Sequence, residues 1–585
     1  MKRYAHLIIA VMLLSLMAGC SSEASRDGSA PPEGPNIAFF SGGRLIPGDG
    51  REPIEAATLV VENGKITEIG GKGEVRPPKG AARAELDGQT IMPALINLNA
   101  HPGLVNGPTF GPQNYKRESV LNDLNRYAYY GVAAVVSMGS DPGDIAFQIR
   151  DEQHQGKVGG ARLFTAGRGI TAKGGWPTSI QKDIPIEVST EAEARQAVAE
   201  QAAKKVDFIR IWMDAAPKLK PELYRAIIDE AHKNNLRVVA SAADLADAKD
   251  LVKAGIDGLL NSIRDREVDN ELIAAMKEAN VFYVPSLTSL EARFVYADKP
   301  SWLGEQAMRE VYPAQLSAYL ADTVVVNKFK RNPELPQLRQ QYSIAAKNLK
   351  KLADAGVKIG FGTNSGAPDT YPGYFEHREL QLMVAAGMSP MDAIKAATSV
   401  SAEILGIDDL GTIEVGKTGD LLALSRNPLD EIRNSREIAL MFKGGSQVQR
   451  LPLIQNITID VPRITEQDRA EEAAAQARDA AARAEARLEH FGKFPLGPAK
   501  TVRAMAIPTP KGSRASVSVG PPDRITVSMR ATAAELREFY AKALPRYRWQ
   551  AQGNCWERQN PLSNKGQVLC IEPAANSVVI QIAEK

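Results

Sequence analysis

Six histidines are the first candidates for acid–base or metal chemistry, and their surroundings divide them. His101 closes the apolar run IMPALINLNA, two residues after Asn99, where either a hydrogen-bonded core histidine or a ligand-contacting one would stand. His377 and Glu379 share the stretch HREL, whose reading is helix packing and surface pairing. His154, His232 and His490 lie in polar helical or loop surroundings and read as solvated. His6 belongs to the N-terminal leader. No G-x-S-x-G is present to offer an activated serine on a strand-to-helix turn. Of three cysteines, Cys20 sits at the end of the leader, which leaves Cys555 and Cys570. An even pair outside the cytoplasm favours a disulfide over two free thiols.

The elements that must position these residues show in the apolar pattern. After Pro93, short apolar runs alternate with helical ones. The runs are residues 92–98, VAAVVSM (132–138), RLFTAG (162–167), VDFIRIW (206–212), LRVVASA (236–242), IDGLLN (256–261), VFYVPSL (281–287) and VKIGFG (357–362). PELYRAIIDEAHKNN and SIAAKNLKKLADAG have helical spacing and end near Asn or Gly. About eight strands alternating with helices predict an α/β fold, a TIM (β/α)8 barrel over residues 91–404. A long insertion at 288–342 precedes the eighth run, and such a segment usually lids or shapes a barrel's pocket. Residues 36–90 and 405–455 read as short strands of a composite β-sandwich, with Asn63-Gly64 as a hairpin turn. Residues 464–493 are rich in Ala, Glu and Arg with almost no large apolar side chain before Leu488, which reads as a spacer helix. Residues 498–585 read as a small α+β domain. Its helix carries Leu536, Phe539, Tyr540 and Leu544 on one face, and Cys555 and Cys570 flank a loop.

The ends and the bulk composition bound the setting. Lys2 and Arg3 precede LIIAVMLLSLMAG, too short to span a bilayer, which needs about 20 residues. The ending LMAGC resembles a bacterial lipobox, which implies a signal peptide over 1–19 and a lipid on Cys20. Residues 20–35 then form a flexible tether. This places the chain in the cell envelope, on the periplasmic face of the outer membrane or at the cell surface. The partners expected are the membrane, a small-molecule ligand and an envelope protein. A net charge of +2 with no Lys/Arg run argues against nucleic acid, and an apolar share of 44% over 585 residues supports more than one core.

GKITEIG, IMPALINLNAHP, GVAAVVSMG, VKIGFGTNSG, HRELQLMVAAGMSPMDAIKAAT and LGTIEVGKTGDLLAL occur in order, and with them residues 36 to about 450 resemble the amidohydrolase superfamily, in its imidazolonepropionase-like and prolidase-like branch. The resemblance implies a metal-dependent barrel that hydrolyses C–N bonds with zinc or another divalent ion. It also assigns positions. The first-strand Asp-x-His-x-His maps onto Asn97, Asn99 and His101. The carbamylated lysine maps onto Arg210, two further histidines onto Ser241 and Asn261, and the aspartate that shuttles a proton onto Asn364. A further family histidine maps onto Trp176.

Of that ligand set only His101 survives. Neutral amides and a hydroxyl are weak donors to a transition metal, and a catalytic zinc needs about three good protein ligands. Arg210 sets a positive charge where the family sets a negative one. Against a divalent ion a few Å away, that reversal costs on the order of 10 kcal/mol at an effective dielectric of about 20. An amide at Asn364 has no useful pKa for proton transfer. A Ser241–His101 pair would still need an orienting acid and an oxyanion hole. The expectation is therefore a binding or scaffolding protein with neither metal nor cofactor and no catalytic residue. Its pocket would use Arg210, His101, Trp176 and Asn364, with Arg210 gripping a carboxylate or phosphate. A C–N hydrolase with unconventional ligands and a structural envelope protein are the alternatives.

Overall fold

The computed structural model describes residues 36–585 except 183, 489, 492–493, 498, 503–504, 521, 560–565, 575–576 and 585. The leader, Cys20 and the tether to residue 35 lie outside the described residues. The chain divides into two units, one ending at Pro462 and one beginning at Arg463.

The first unit is mixed α/β. Its β-rich part joins strands from both ends of the unit. Ile37–Leu45, Ile54–Glu62, Lys65–Gly70, Ala82–Glu85 and Thr90–Pro93 share one sheet with Leu421–Leu424, Ile438–Lys443 and Ser446–Gln447. The composite origin is thus observed, but among the described residues the strands lie in one eight-stranded sheet. Asn63 and Gly64 both have positive φ, 51° and 86°, and close the hairpin in which Glu62 faces Lys65. That is the turn chemistry an Asn-Gly pair supplies.

The alternating part of the unit contains two parallel sheets. Leu95–Ala100, Val132–Ser137 and Arg162–Thr165 form one; Phe208–Trp212, Arg237–Ser241, Gly258–Leu260 and Phe282–Val284 lie in the other, with the short strands Ile170–Ala172 and Ile186–Val188 at its edge. Side chains alternate between two layers, as the two-residue strand period demands. Phe208, Val239, Leu260 and Val284 belong to one apolar cluster, and Ile209, Ile211, Val238, Ala240 and Leu259 to another. Arg210 and Ser241 fall in register with the first set.

The expected eighth strand, 357–362, is not a strand. It bonds both neighbours nonetheless: Gly360 N–H donates to Tyr283 O at 2.9 Å, and Leu98 N–H donates to Phe361 O at 2.8 Å. Two glycines allow this close run. A Cβ on Gly362 would lie 2.7 Å from Asn99 Cβ, and one on Gly360 would lie 2.8 Å from Ile404 Cδ1. On the other side, Asp207 N–H donates to Thr165 O at 2.8 Å, linking the two sheets again.

The insertion is helical, running from Leu287–Glu291 through Gln306–Val311, Ala314–Ala321 and Thr323–Lys330 to Leu335–Asp354. Its aromatic side chains share a core with residues from beyond the insertion. Trp302 meets Phe375 edge-on at 5.7 Å and Tyr296 at 5.8 Å, and Tyr312 meets Tyr371 at 5.3 Å.

In the second unit, helix Glu466–Leu488 occupies most of the span expected for the spacer. A six-stranded antiparallel sheet packs on helix Ala533–Ala543, burying Leu536, Phe539, Tyr540 and Trp549. A Thr532–Glu535 capping box starts that helix. Cys555 and Cys570 form a disulfide. They face each other directly across strands Cys555–Gln559 and Gly566–Ala574.

Candidate functional site

The residues singled out in the first unit converge where the parallel strands end. Asn97, Asn99, His101, Arg210 and Ser241 are all buried. A buried carboxylate that sequence reading missed, Glu376, anchors one side. Its Oε1 accepts hydrogen bonds from Asn97 Nδ2, Thr363 Oγ1 and Ser365 Oγ, each at 2.7 Å. Asn97 Oδ1 then accepts from Asn99 N–H at 2.9 Å. Asn99 Nδ2 donates to Asn261 Oδ1 at 3.1 Å and to Ser286 Oγ at 3.0 Å, and the Asn99 carbonyl accepts from Asn364 N–H at 2.7 Å. Asn261 and Asn364 both sit at φ 59°, a left-handed conformation that Asn tolerates better than most residues.

His101 lies between two polar partners. Its Nε2 is 2.8 Å from Asn364 Oδ1 and its Nδ1 is 2.8 Å from Ser140 Oγ. Burial pushes its pKa down to about 4; the Asn364 bond opposes that and the Arg210 charge adds to it. With Nε2 facing an amide oxygen, the neutral ring carries its proton on Nε2 and accepts from Ser140.

Arg210 is 0% exposed, and Nε, Nη1 and Nη2 all lack a hydrogen-bond partner. Its guanidinium lies over the Trp212 ring, 4.3 Å from the centroid, a cation–π contact. Its stem packs across Gly139, where a Cβ would lie 2.7 Å from Arg210 Cγ. Burial lowers its pKa to about 10 and Asp214 opposes that, so the group is a cation at neutral pH. Ser241 Oγ donates to Asp214 Oδ2, a pairing the sequence did not suggest. Trp212 Nε1 and Asn99 Oδ1 are also unpartnered.

Above these groups opens a cavity of about 400 Å³, within the range of small-molecule sites. His101, Trp176, Asn261 and Asn364 line it. Arg210 does not; its neighbour Trp212 does, and the expectation that Arg210 would grip a ligand is corrected accordingly. The cations that reach the cavity are Arg264 and Arg293, with Asp214 beside them. Arg264 follows strand Gly258–Leu260 by four residues, and Arg293 follows helix Leu287–Glu291. Only their places, after a strand end and early in the insertion, could have marked them in the sequence. The first turn of the insertion shapes the pocket through Ser289 and Leu290.

The other histidines separate as follows. His154 and His232 are exposed, and His232 Nε2 is 2.9 Å from Asp257. His377 and Glu379 are buried, so their surface-pairing reading is replaced. Glu379 accepts from the N–H groups of Leu287 and Thr288 at 2.8 and 2.7 Å, anchoring the insertion. Among the described residues, no three His, Cys, Asp or Glu side chains gather as a metal-holding group.

The model of the Amidohydrolase family matches residues 90–448. An ochratoxinase from Aspergillus niger is 26% identical over 459 residues, covering 70% of this chain and 86% of that one. A solved Xaa-Pro dipeptidase with bound methionine aligns at a TM-score of 0.58 and 24% identity, covering 71% of this chain and all of that one. A putative prolidase from Bifidobacterium longum aligns at 0.58 and 25% identity, with 75% and 99% covered.

Proposed function

Since the chain belongs to the amidohydrolase family, whose membership supports hydrolase-type chemistry on C–N bonds, we propose that it keeps the family's pocket for a small molecule but binds without metal-dependent hydrolysis. In this reading the eight alternating segments close as a TIM barrel, and residues 357–365 complete the ring between Phe282–Val284 and Leu95–Ala100.

One observation carries the proposal: the fully buried, unpartnered guanidinium of Arg210. A divalent cation and this group repel each other at low dielectric. The residues around it do not fit a metal. Asn261 Oδ1 is taken by Asn99 Nδ2, Ser241 is held by Asp214, and Asn364 is held by His101, which leaves the neutral Asn99 Oδ1, a weak donor to a transition metal. No ionised base stands at Asn364 to activate a water.

The test is metal analysis of the purified chain beside a reversion set: Arg210→Lys, Asn99→His, Ser241→His, Asn261→His and Asn364→Asp. The unmodified chain should hold no stoichiometric zinc, nickel, manganese or iron, and the set should gain metal. The relatives favour a second reading, hydrolysis of an amide, as the names ochratoxinase and dipeptidase describe for those proteins. Stoichiometric metal with turnover of N-acyl amino acids or dipeptides by the unmodified chain would select that reading. We further propose that Cys20 anchors the chain in the cell envelope. Mass spectrometry of the mature N-terminal peptide should find a diacylglyceryl cysteine, and an unmodified Cys20 would end that proposal.

A further inference from the structure

We infer that Arg264 and Arg293 form a carboxylate clamp at the cavity, which takes a small carboxylate with an aromatic or apolar body. The inference rests on the pocket being a ligand site, as proposed above.

Two guanidinium groups converge there with few of their donors engaged. Arg264 Nη1 donates to Ser262 O at 3.1 Å, and its Nη2 is 4.0 Å from Asp214 Oδ1. Arg293 Nη2 is 3.7 Å from Glu334 Oε2. Each guanidinium carries five N–H donors, and these contacts use a minority of them. The Arg264 side chain is 13% exposed, so bulk water is a partial substitute at best for its free donors, while Arg293, 45% exposed, stands at the solvent side. The two cations also feel each other: burial lowers the Arg293 pKa and the Arg264 charge lowers it further, with Glu334 and Asp214 opposing the shift.

The neighbouring acids offset part of this charge: Asp214 and Glu334 stand 4.0 and 3.7 Å from the two guanidinium groups, and the other acids are engaged elsewhere. Asp214 accepts from Ser241. Asp244 pairs with Lys218 at 2.6 Å. Asp265 pairs with Arg266 at 2.6 Å and accepts from Leu245 N–H at 2.9 Å. Arg210 adds a third positive charge beneath Trp212. A carboxylate matches the fork of a guanidinium through two parallel N–H···O bonds. The body of the ligand is set by the walls, where Phe110, Trp176, Ile180 and Leu290 surround the space. Trp176 is 36% exposed, an unusually open position for a large aromatic side chain. Such walls favour a singly charged carboxylate on an apolar body over a phosphate.

The experiment is isothermal titration calorimetry of the full chain with 3-phenylpropanoate and its neutral amide, 3-phenylpropanamide. The carboxylate should bind saturably, and the amide about tenfold more weakly or worse, the usual worth of a charge-assisted hydrogen bond. Arg264→Gln and Arg293→Gln should each weaken the carboxylate about tenfold and leave the amide unchanged. Thermal unfolding checks that both variants fold, and the comparison of the two probes on the unmodified chain needs no variant. Equal affinity for both probes, carboxylate binding unaltered in the two folded variants, or no saturable binding in the millimolar range would each overturn the clamp. Metal analysis of the same preparation keeps the two proposals apart. Stoichiometric metal with charge-dependent probe binding would sink the non-hydrolytic reading and leave the clamp standing. A metal-free chain with charge-blind binding would do the reverse.

Discussion

Arg210 brings a charge into the interior without a carboxylate to meet it, and its contacts predict an unusual response to mutation. Removing a buried charge and filling its volume with an apolar side chain is often neutral or stabilising, by about 1–4 kcal/mol. Arg210→Met keeps most of the stem across Gly139 and the face toward Trp212, so it should raise the midpoint of urea unfolding; a loss of stability would mean that the guanidinium has a partner in solution. His377 gives a second test. Its Nδ1 and Nε2 lie 2.9 Å from Ser435 Oγ and Tyr130 O, and burial pushes its pKa down to about 4, with the Tyr130 bond opposing and Arg436 and Arg450 adding to the shift. The unfolded imidazole takes a proton near pH 6.5, and the folded one only near pH 4. The folded state therefore loses stability as pH falls from 6.5 to 4, by about 3 kcal/mol in all. Glu379, raised by burial to about 7, works in the opposite direction, losing stability as pH rises from 4.5 to 7. The measurement is thus a difference: a His377→Gln variant should show a flatter loss than the unmodified chain over pH 6.5 to 4. At this scale the sequence revealed the identities but not the partners. Arg210 was legible as a reversed charge. The bonds of Ser241 to Asp214 and of Asn97 to Glu376 join positions 27 and 279 residues apart, which no local pattern encodes.

At the scale of elements, the apolar runs located most strands because a strand buried on both faces must be apolar throughout. The run at 357–362 was harder, because its glycines lower strand regularity while permitting the close approach to Asn99. The segment after it holds Asn364 at φ 59° and passes its backbone N–H to Asn99. Backbone and side chain make separate contributions here, and two variants separate them. Asn364→Gly keeps the left-handed backbone and loses the side-chain bond to His101, at a cost of about 1 kcal/mol. Asn364→Val loses the same bond and adds the left-handed penalty of a β-branched residue, for a total of about 2–3 kcal/mol. Denaturant midpoints of the two variants should differ accordingly; equal costs would show that the segment relaxes out of this conformation. The insertion was legible as a pocket-shaping segment by its length and place. Its fold was not, because its core depends on Trp302 and Tyr312 meeting Phe375 and Tyr371 from beyond the insertion.

For the molecule as a whole, two units with separate apolar cores predict two unfolding events. The first unit buries a continuous core around its parallel strands, and the second buries a smaller one around Leu536, Phe539, Trp549 and Ile580. A small core needs reinforcement, and the second unit has a disulfide between residues 15 apart in sequence. The cysteine pairing was legible from parity and the expected compartment; its place across two adjacent strands depends on a register that no short-range pattern carries. A loop of that length confers about 3 kcal/mol by restricting the unfolded chain. For a unit of this size that corresponds to a shift of roughly 10–20 °C in its midpoint. Calorimetry of the unmodified chain and of a Cys555→Ser, Cys570→Ser variant should therefore show one transition lowered by about that amount and the other unmoved. If both transitions fell together, the units would be thermodynamically coupled, and the second would have to be treated as part of the first unit's stability. If neither moved, the loop would already be restricted by the paired strands Cys555–Gln559 and Gly566–Ala574 persisting in the unfolded ensemble.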